Sequence, residues 1–135
     1  MKKLALYLNL AGKTEEALHF YQTCFNGEIL NLQRFEGAQL EVPEDYKQKV
    51  MHAEFKAEGI HLMASDGMPR QNCIVGNNIS LSLSFSQESE LNQVFEKLSE
   101  KGKVVLKPEE TFWGALFGKV IDHYGIEWML SCTKK

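Results

Sequence analysis

Four histidines, a few carboxylates and two tryptophans carry most of the chemistry that this 135-residue sequence offers. His52 and Glu54 stand two apart in the run VMHAEFKA, Val50 to Ala57. Residues two apart on a strand share a face, and His61, in the following run, faces the same side of the neighbouring strand. An imidazole beside a carboxylate can move a proton or hold a metal. The same pattern also describes the polar face of an antiparallel strand with a cross-strand charge pair, and both readings stand. Asp122 is a third candidate acid or base. It precedes the turn His123-Tyr124-Gly125, where a short carboxylate commonly hydrogen-bonds the backbone. His19, on the outer part of a helix, and His123, at the turn, read as solvated. Trp113 and Trp128 lie at opposite ends of a two-strand stretch and should line one side of a concavity. They would stack there on a planar ligand, although large aromatics also build cores. Arg70 follows Met68-Pro69 in a loop and is either an anion clamp or a solvated cation. The candidate catalytic groups are therefore His52, Glu54 and Asp122. The candidate ligand-binding set is Tyr7, His52, Trp113, Trp128 and Arg70.

These residues need strands to present them. Leu4, Leu6, Leu8 and Leu10 alternate with smaller or polar residues, the period of a strand. Thr14 reads as an N-cap, with Glu15 and Glu16 in the first turn where the helix dipole favours negative charge. Ala17, Phe20, Tyr21, Cys24 and Phe25 recur at helical spacing, and Asn26-Gly27 ends the helix. Strands follow over Glu28–Glu36, Val50–Ala57 and Ile60–Ser65, with a loop over 37–49 that the pattern marks as mobile and another over 66–78. Then come a strand over Ile79–Phe85, a helix capped by Ser89 and running to Glu100, and a strand over Lys103–Leu106. Pro108 opens a loop, and the stretch TFWGALFGKVIDHYGIEWML, Thr111 to Leu130, supplies two more strands around a tight turn.

The two halves share one grammar: strand, helix, strand, strand, strand. Shifting the chain by 75 brings Leu6 onto Leu81, Leu8 onto Leu83, Thr14 onto Ser89, Phe20 onto Phe95 and Gly27 onto Gly102. A shift of 66 brings Gly59 onto Gly125, Ile60 onto Ile126, Met63 onto Met129 and Ser65 onto Ser131. Core positions, caps and stops in register together indicate an internal duplication.

Composition narrows the function classes. The net charge is −3 and basic residues are interspersed with acidic ones, so no stripe tracks a phosphate backbone and nucleic acid is not expected as a partner. No apolar run approaches the ~20 residues that cross a bilayer, so no membrane association is expected either. The opening MKKLALYLNLAG superficially has a signal peptide's basic and apolar parts, but Tyr7 and Asn9 interrupt it with strand-like alternation. Cys24, Cys73 and Cys132 are odd in number and far from CxxC spacing, which suggests neither a disulfide framework nor a zinc knuckle. A reducing cytoplasm is the expected location.

Two tandem βαβββ modules resemble the vicinal oxygen chelate superfamily, which includes glyoxalase I and the bleomycin- and fosfomycin-resistance proteins. The motifs TFWG (Thr111 to Gly114), FGKVIDHYGIEWML (Phe117 to Leu130), ASDGMP (Ala64 to Pro69) and HFYQTCFNGE (His19 to Glu28) are similar to its PhnB-like branch. The resemblance implies an α+β fold in which each module, about 1–70 and 76–135, curls four antiparallel strands into a half-barrel within one domain. It implies a small-molecule ligand on the concave face and a homodimer. It also places the superfamily's four metal-ligand positions at Leu6, Leu81, Met63 and Met129, none of which supplies an imidazole or carboxylate. No metal and no cofactor is therefore expected. Three functions remain open: a small-molecule binding module, a metal-independent enzyme using His52, Glu54 or Asp122, and a metal-dependent isomerase or dioxygenase-type enzyme. The branch often carries the label 3-demethylubiquinone-9 3-methyltransferase. That chemistry is not supported, because no glycine-rich strand-to-helix turn offers S-adenosylmethionine a site.

Overall fold

The computed structural model describes residues 2–133. The chain divides into two compact units, Met1–Ile74 and Val75–Lys135.

In unit 1 the order is β1 (Leu6–Asn9), α1 (Thr14–Phe25), β2 (Glu28–Arg34), a 3-10 turn at Glu44–Tyr46, β3 (Val50–Ala57) and β4 (Ile60–Ser65). The sheet runs β1-β4-β3-β2, with β1 parallel to β4 and the other pairs antiparallel. Helix α1 buries Ala17, Leu18, Tyr21 and Cys24, and the strands bury Ala53, Phe55, Leu62 and Ala64. Tyr21 and Phe55 meet with ring centroids 6.4 Å apart. Each such large side chain contributes about 1.5–3 kcal/mol when fully buried. Gly27 is required where helix and sheet meet, since a Cβ there would lie 2.5 Å from Phe55 Cζ and 2.6 Å from the Lys56 carbonyl oxygen.

Unit 2 repeats the plan with β5 (Leu81–Phe85), α2 (Glu88–Leu98), β6 (Lys103–Glu110), β7 (Ala115–Ile121) and β8 (Glu127–Thr133), in the sheet order β5-β8-β7-β6. Its core gathers Leu91, Val94, Phe95 and Leu98 from the helix with Leu116, Val120, Trp128, Leu130 and Cys132 from the strands. The duplicated strand-helix-three-strand grammar is present in both units, and each sheet is mixed and open rather than a closed barrel.

Several local expectations are corrected. The first strand begins at Leu6, β2 ends at Arg34, and a 3-10 turn interrupts the 37–49 loop. Thr14 is the first residue of α1 and Lys13 is its N-cap, without a side-chain cap bond. The cap comes instead from Asp66, whose Oδ1 accepts the Thr14 N–H at 2.8 Å and whose Oδ2 accepts the Val50 N–H at 2.7 Å. Helix α2 is likewise capped at Gln87 rather than Ser89 and stops at Leu98. Pro108 does not end its strand. β6 is a sheet edge whose register shifts between Val104 and Leu106 and again between Leu106 and Glu109, and an edge bulge tolerates the missing N–H.

Candidate functional site

Strand register decides which side chains face the helix and which face away, because paired residues share a face. In unit 1, Leu62 pairs with Leu6 and Phe55, and Ala64 pairs with Leu8 and Ala53. This is the helix side. Met63 pairs with Tyr7 and Glu54, and Gln33 pairs with His52. This is the open side.

The open side of unit 1 carries two hydrogen-bonded groups. The Tyr7 hydroxyl and His52 Nδ1 share a hydrogen bond at 2.9 Å, with the rings tilted and their centroids 5.6 Å apart. With the phenol as donor, the proton of a neutral imidazole sits on Nε2; with Nδ1–H as donor, Nε2 is the free base. Burial pushes the Tyr7 phenol up from its ordinary pKa, while the Ser65 hydroxyl acts in the opposite direction. In the second, His61 Nε2 donates to Glu54 Oε2 at 2.8 Å, while Asn31 Nδ2 donates to Glu54 Oε1 at 3.0 Å. The His61 bond, then the Asn31 bond, hold the Glu54 carboxyl below its usual range. Asn31 reaches Glu54 from an irregular point in β2, with φ of 53° and a register shift between Leu30 and Gln33. The face thus offers a phenol–imidazole dyad able to exchange a proton and a carboxylate fixed in its charged form, about 7 Å apart along β3.

Unit 2 places different chemistry on equivalent positions. Across its open face Leu106, Lys119, Met129 and Ser82 form one row, and Glu109, Phe117, Ser131 and Ser84 the next. Lys119 stands beside Met129 as Glu54 stands beside Met63. Its ammonium lies 3.6 Å from Glu127 Oε1, and Glu127 also accepts a hydrogen bond from Ser80 Oγ. The turn between β6 and β7 is tied by Thr111, whose hydroxyl donates to the Ala115 carbonyl at 2.9 Å. Gly114 takes a φ of 84° there. At the tip Phe112 is 98% and Trp113 58% exposed. Trp113 sits edge-on to Phe117, with centroids 6.1 Å apart.

The structure brings together some of the sequence candidates and separates others. Tyr7, His52 and Glu54 share the open face of unit 1, with His61 beside them. Trp113 stands at the rim of the open face of unit 2. Trp128 does not line a concavity with it: it pairs with Leu81 and Val120 on the helix side and is 1% exposed. Asp122 is equally buried and structural in its contacts. Its Oδ1 accepts the N–H groups of Tyr124 (2.8 Å) and Ile126 (3.1 Å), and its Oδ2 accepts the Trp128 indole N–H at 2.8 Å. This matches the turn-bonding reading of Asp122 and removes it from any open surface. Arg70 is exposed, with φ of 63°, and forms no ion pair among the described residues. Sequence reasoning missed Asn31, Gln33 and Lys119, the first two because the irregularity in β2 breaks its alternation.

The metal-ligand mapping also changes. Leu6 and Leu81 pair with Leu62 and Trp128, so both face the helix. The open-face residues beside Met63 and Met129 are Tyr7 and Ser82. A phenol and a thioether in one unit, and a hydroxyl and a thioether in the other, do not form the imidazole–carboxylate set that suits divalent zinc or iron. Among the described residues no group of three or more His, Cys, Asp or Glu side chains gathers as a metal site.

Comparison with known proteins places this geometry. A family model described as 3-demethylubiquinone-9 3-methyltransferase matches residues 2–131. The protein PA1353 from Pseudomonas aeruginosa has a solved structure that is 31% identical and covers all of both chains, with a TM-score of 0.87. A putative 3-demethylubiquinone-9 3-methyltransferase, PhnB protein, from Bacillus cereus is 28% identical over 98% of this chain and 100% of its own, with a TM-score of 0.83. Protein YjdN of Escherichia coli is 29% identical over 98% of this chain and 96% of its own. A glyoxalase-related enzyme and a glyoxalase/bleomycin resistance protein/dioxygenase family enzyme share the fold alone, at 17% and 8% identity with TM-scores of 0.65 and 0.61.

Proposed function

The chain belongs to the 3-demethylubiquinone-9 3-methyltransferase family, the PhnB-like branch of the glyoxalase/bleomycin-resistance fold, and within it we propose that it binds a small molecule on its open sheet faces without a catalytic metal. The observation that carries this reading is the face of unit 1. Tyr7 with His52, and Glu54 with His61 and Asn31, collect there as a hydrogen-bonded pair and a trio around Met63. A few fixed polar groups around an apolar centre are the usual make-up of a ligand site. Tyr7 and His52 serve as polar anchors, and Trp113 serves as a stacking surface in unit 2.

The methyl transfer in the family name requires a methyl donor, and the residues present do not fit one. Nucleotide-type donors sit where a glycine-rich turn enters a helix beyond parallel strands. Here β1 enters α1 through Leu10-Ala11-Gly12-Lys13, and the Asp66 carboxylate already occupies the first free N–H of the helix.

A second reading is favoured by the Tyr7–His52 bond: a metal-independent enzyme in which His52 takes or gives a proton and Tyr7 orients it. We also propose a homodimer, because both open sheets leave strand edges that a second copy would cover, and a reducing cytoplasmic location for a chain whose cysteines form no disulfide among the described residues. No helix is long and apolar enough to cross a membrane among the described residues.

The test is mass spectrometry of metabolites that copurify with untagged protein, together with elemental analysis. A bound organic molecule lost in H52A and Y7F supports the binding reading. Near-stoichiometric metal lost in M63A or M129A overturns it. Metal lost in H52A or E54Q shows a relocated metal site and favours an enzyme.

A further inference from the structure

The open face of unit 2 holds a cation next to an aromatic surface. Lys119 and Phe117 are two residues apart on β7 and point to the same side, so their Cβ atoms are separated by about 7 Å. That span matches a benzene ring carrying one carboxylate. Phe117 shares its row with the hydroxyls of Ser131 and Ser84 and with Glu109, whose carboxylate lies 3.7 Å from the Lys107 ammonium at the sheet edge, and Trp113 stands edge-on to it with 58% of its surface exposed. The Lys119 side chain is 30% exposed and its ammonium lies 3.6 Å from Glu127, longer than a direct N–H···O hydrogen bond. The Glu127 oxygen that faces it already accepts the Ser80 hydroxyl. The ammonium therefore keeps donors for a second anion, and its neighbours Met129 and Leu106 are apolar. An anion held there is less hydrated than at an open surface, which strengthens the pairing.

We propose that this face binds a planar aromatic carboxylate, with its ring against Trp113 and Phe117 and its carboxylate on Lys119. The proposal rests on the reading of the open faces as binding surfaces and adds the chemical class of the ligand. Charge selects the carboxylate and the aromatic platform selects a flat ring. A saturated ring with the same acid fits the cation but not the platform, and a neutral aromatic fits the platform but not the cation.

The experiment is a proton–nitrogen NMR titration of the full chain with three probes: benzoate, benzyl alcohol and cyclohexanecarboxylate. The two indole N–H signals act as reporter and control, since that of Trp128 is buried and donates to Asp122. The expected result is that benzoate shifts the Trp113 indole and the Lys119 region, leaves the Trp128 indole in place, and binds about tenfold tighter than either other probe, the scale of one charge-assisted hydrogen bond. K119M should abolish the preference for benzoate over benzyl alcohol, K119R should retain it, and W113A should weaken both aromatic probes. Trp113 is exposed and Lys119 partly exposed, and a dispersed spectrum confirms the fold of each variant. Benzyl alcohol shifting Trp113 as strongly as benzoate, or K119M leaving benzoate unchanged, overturns the carboxylate assignment while the open-face reading survives. No open-face signal moving in either unit with any probe at tens of millimolar overturns both.

Discussion

Replacing Asp122 with Asn separates a structural carboxylate from a catalytic one. The wild-type group accepts the Tyr124 and Ile126 N–H groups on Oδ1 and the Trp128 indole on Oδ2, and is only 3% exposed. An amide can keep the two backbone donors on its single oxygen. Its NH2 then faces the indole N–H, donor against donor, inside the core. Hydrogen bonds to a charged group contribute about 1.5–3 kcal/mol, and a buried donor left unmet costs about 1–3 kcal/mol. The two effects overlap, so we expect D122N to lose about 3 kcal/mol. For a chain of this size that corresponds to a fall in Tm of roughly 10 °C. The assay is urea unfolding of wild type, D122N, W128F and the double variant, followed by circular dichroism. Trp128→Phe removes the opposing donor, so it should be less damaging in the D122N background, with a coupling of about 1–2 kcal/mol. Ligand titrations below the transition should be unchanged, since Asp122 does not reach the open face. A D122N protein within about 0.5 kcal/mol of wild type, the range of ordinary surface changes, or strict additivity with W128F, would refute the reasoning.

Other outcomes follow from the same contacts. The Glu54 carboxyl is held below its usual range by His61 and then Asn31. The stability it contributes is therefore present above its unfolded pKa and lost as pH falls through the folded one. E54Q should flatten that acid limb, read from urea midpoints at pH values below about 4.3, and an unchanged slope would refute the linkage. Tyr7 is half-exposed, so Y7F should cost at most about 1 kcal/mol yet move the His52 tautomer balance read by nitrogen NMR; an identical balance would show that the bond to Nδ1 does not orient the ring. A methyl at Gly118 would sit 2.9 Å from Phe95 Cε2 and 3.1 Å from Pro108 Cγ. G118A should accordingly destabilise by about 1–3 kcal/mol, and a thermal scan that matches wild type would mean α2 is free to move outward.

Which parts of this arrangement were legible in the sequence depends on parity. In LALYLNL the leucines occupy one parity and the polar residues the other, so the strand itself assigns Leu6 to the core side and Tyr7 to the open side. The family resemblance instead implies a ligand position at Leu6, and the register with Leu62 puts that residue on the helix side, as the alternation does. In IHLMAS and EWML apolar residues stand at both parities. Met63 and Trp128 therefore could not be assigned to a face without their partners across the sheet, Glu54 and Val120. His52 and Glu54 were readable as one face because their neighbours Met51, Ala53 and Phe55 are all apolar. The role of Asp66 was not readable. It meets Thr14 across 52 positions, and no local pattern announces a cap supplied from that far away.

The irregular edge of unit 2 has a consequence for the protein's behaviour at high concentration. β6 displays Val104, Val105 and Leu106, each more than 40% exposed, and a straight strand of that composition would template the stacking of further chains. Two register shifts and Pro108 interrupt the row of free backbone groups, and Lys103, Lys107, Glu109 and Glu110 flank it with charge. The edge is apolar enough to meet another surface and too uneven to extend into a fibril. Straightening it, by removing Pro108 and one bulge together, would convert a tolerated edge into a site of amyloid-like growth.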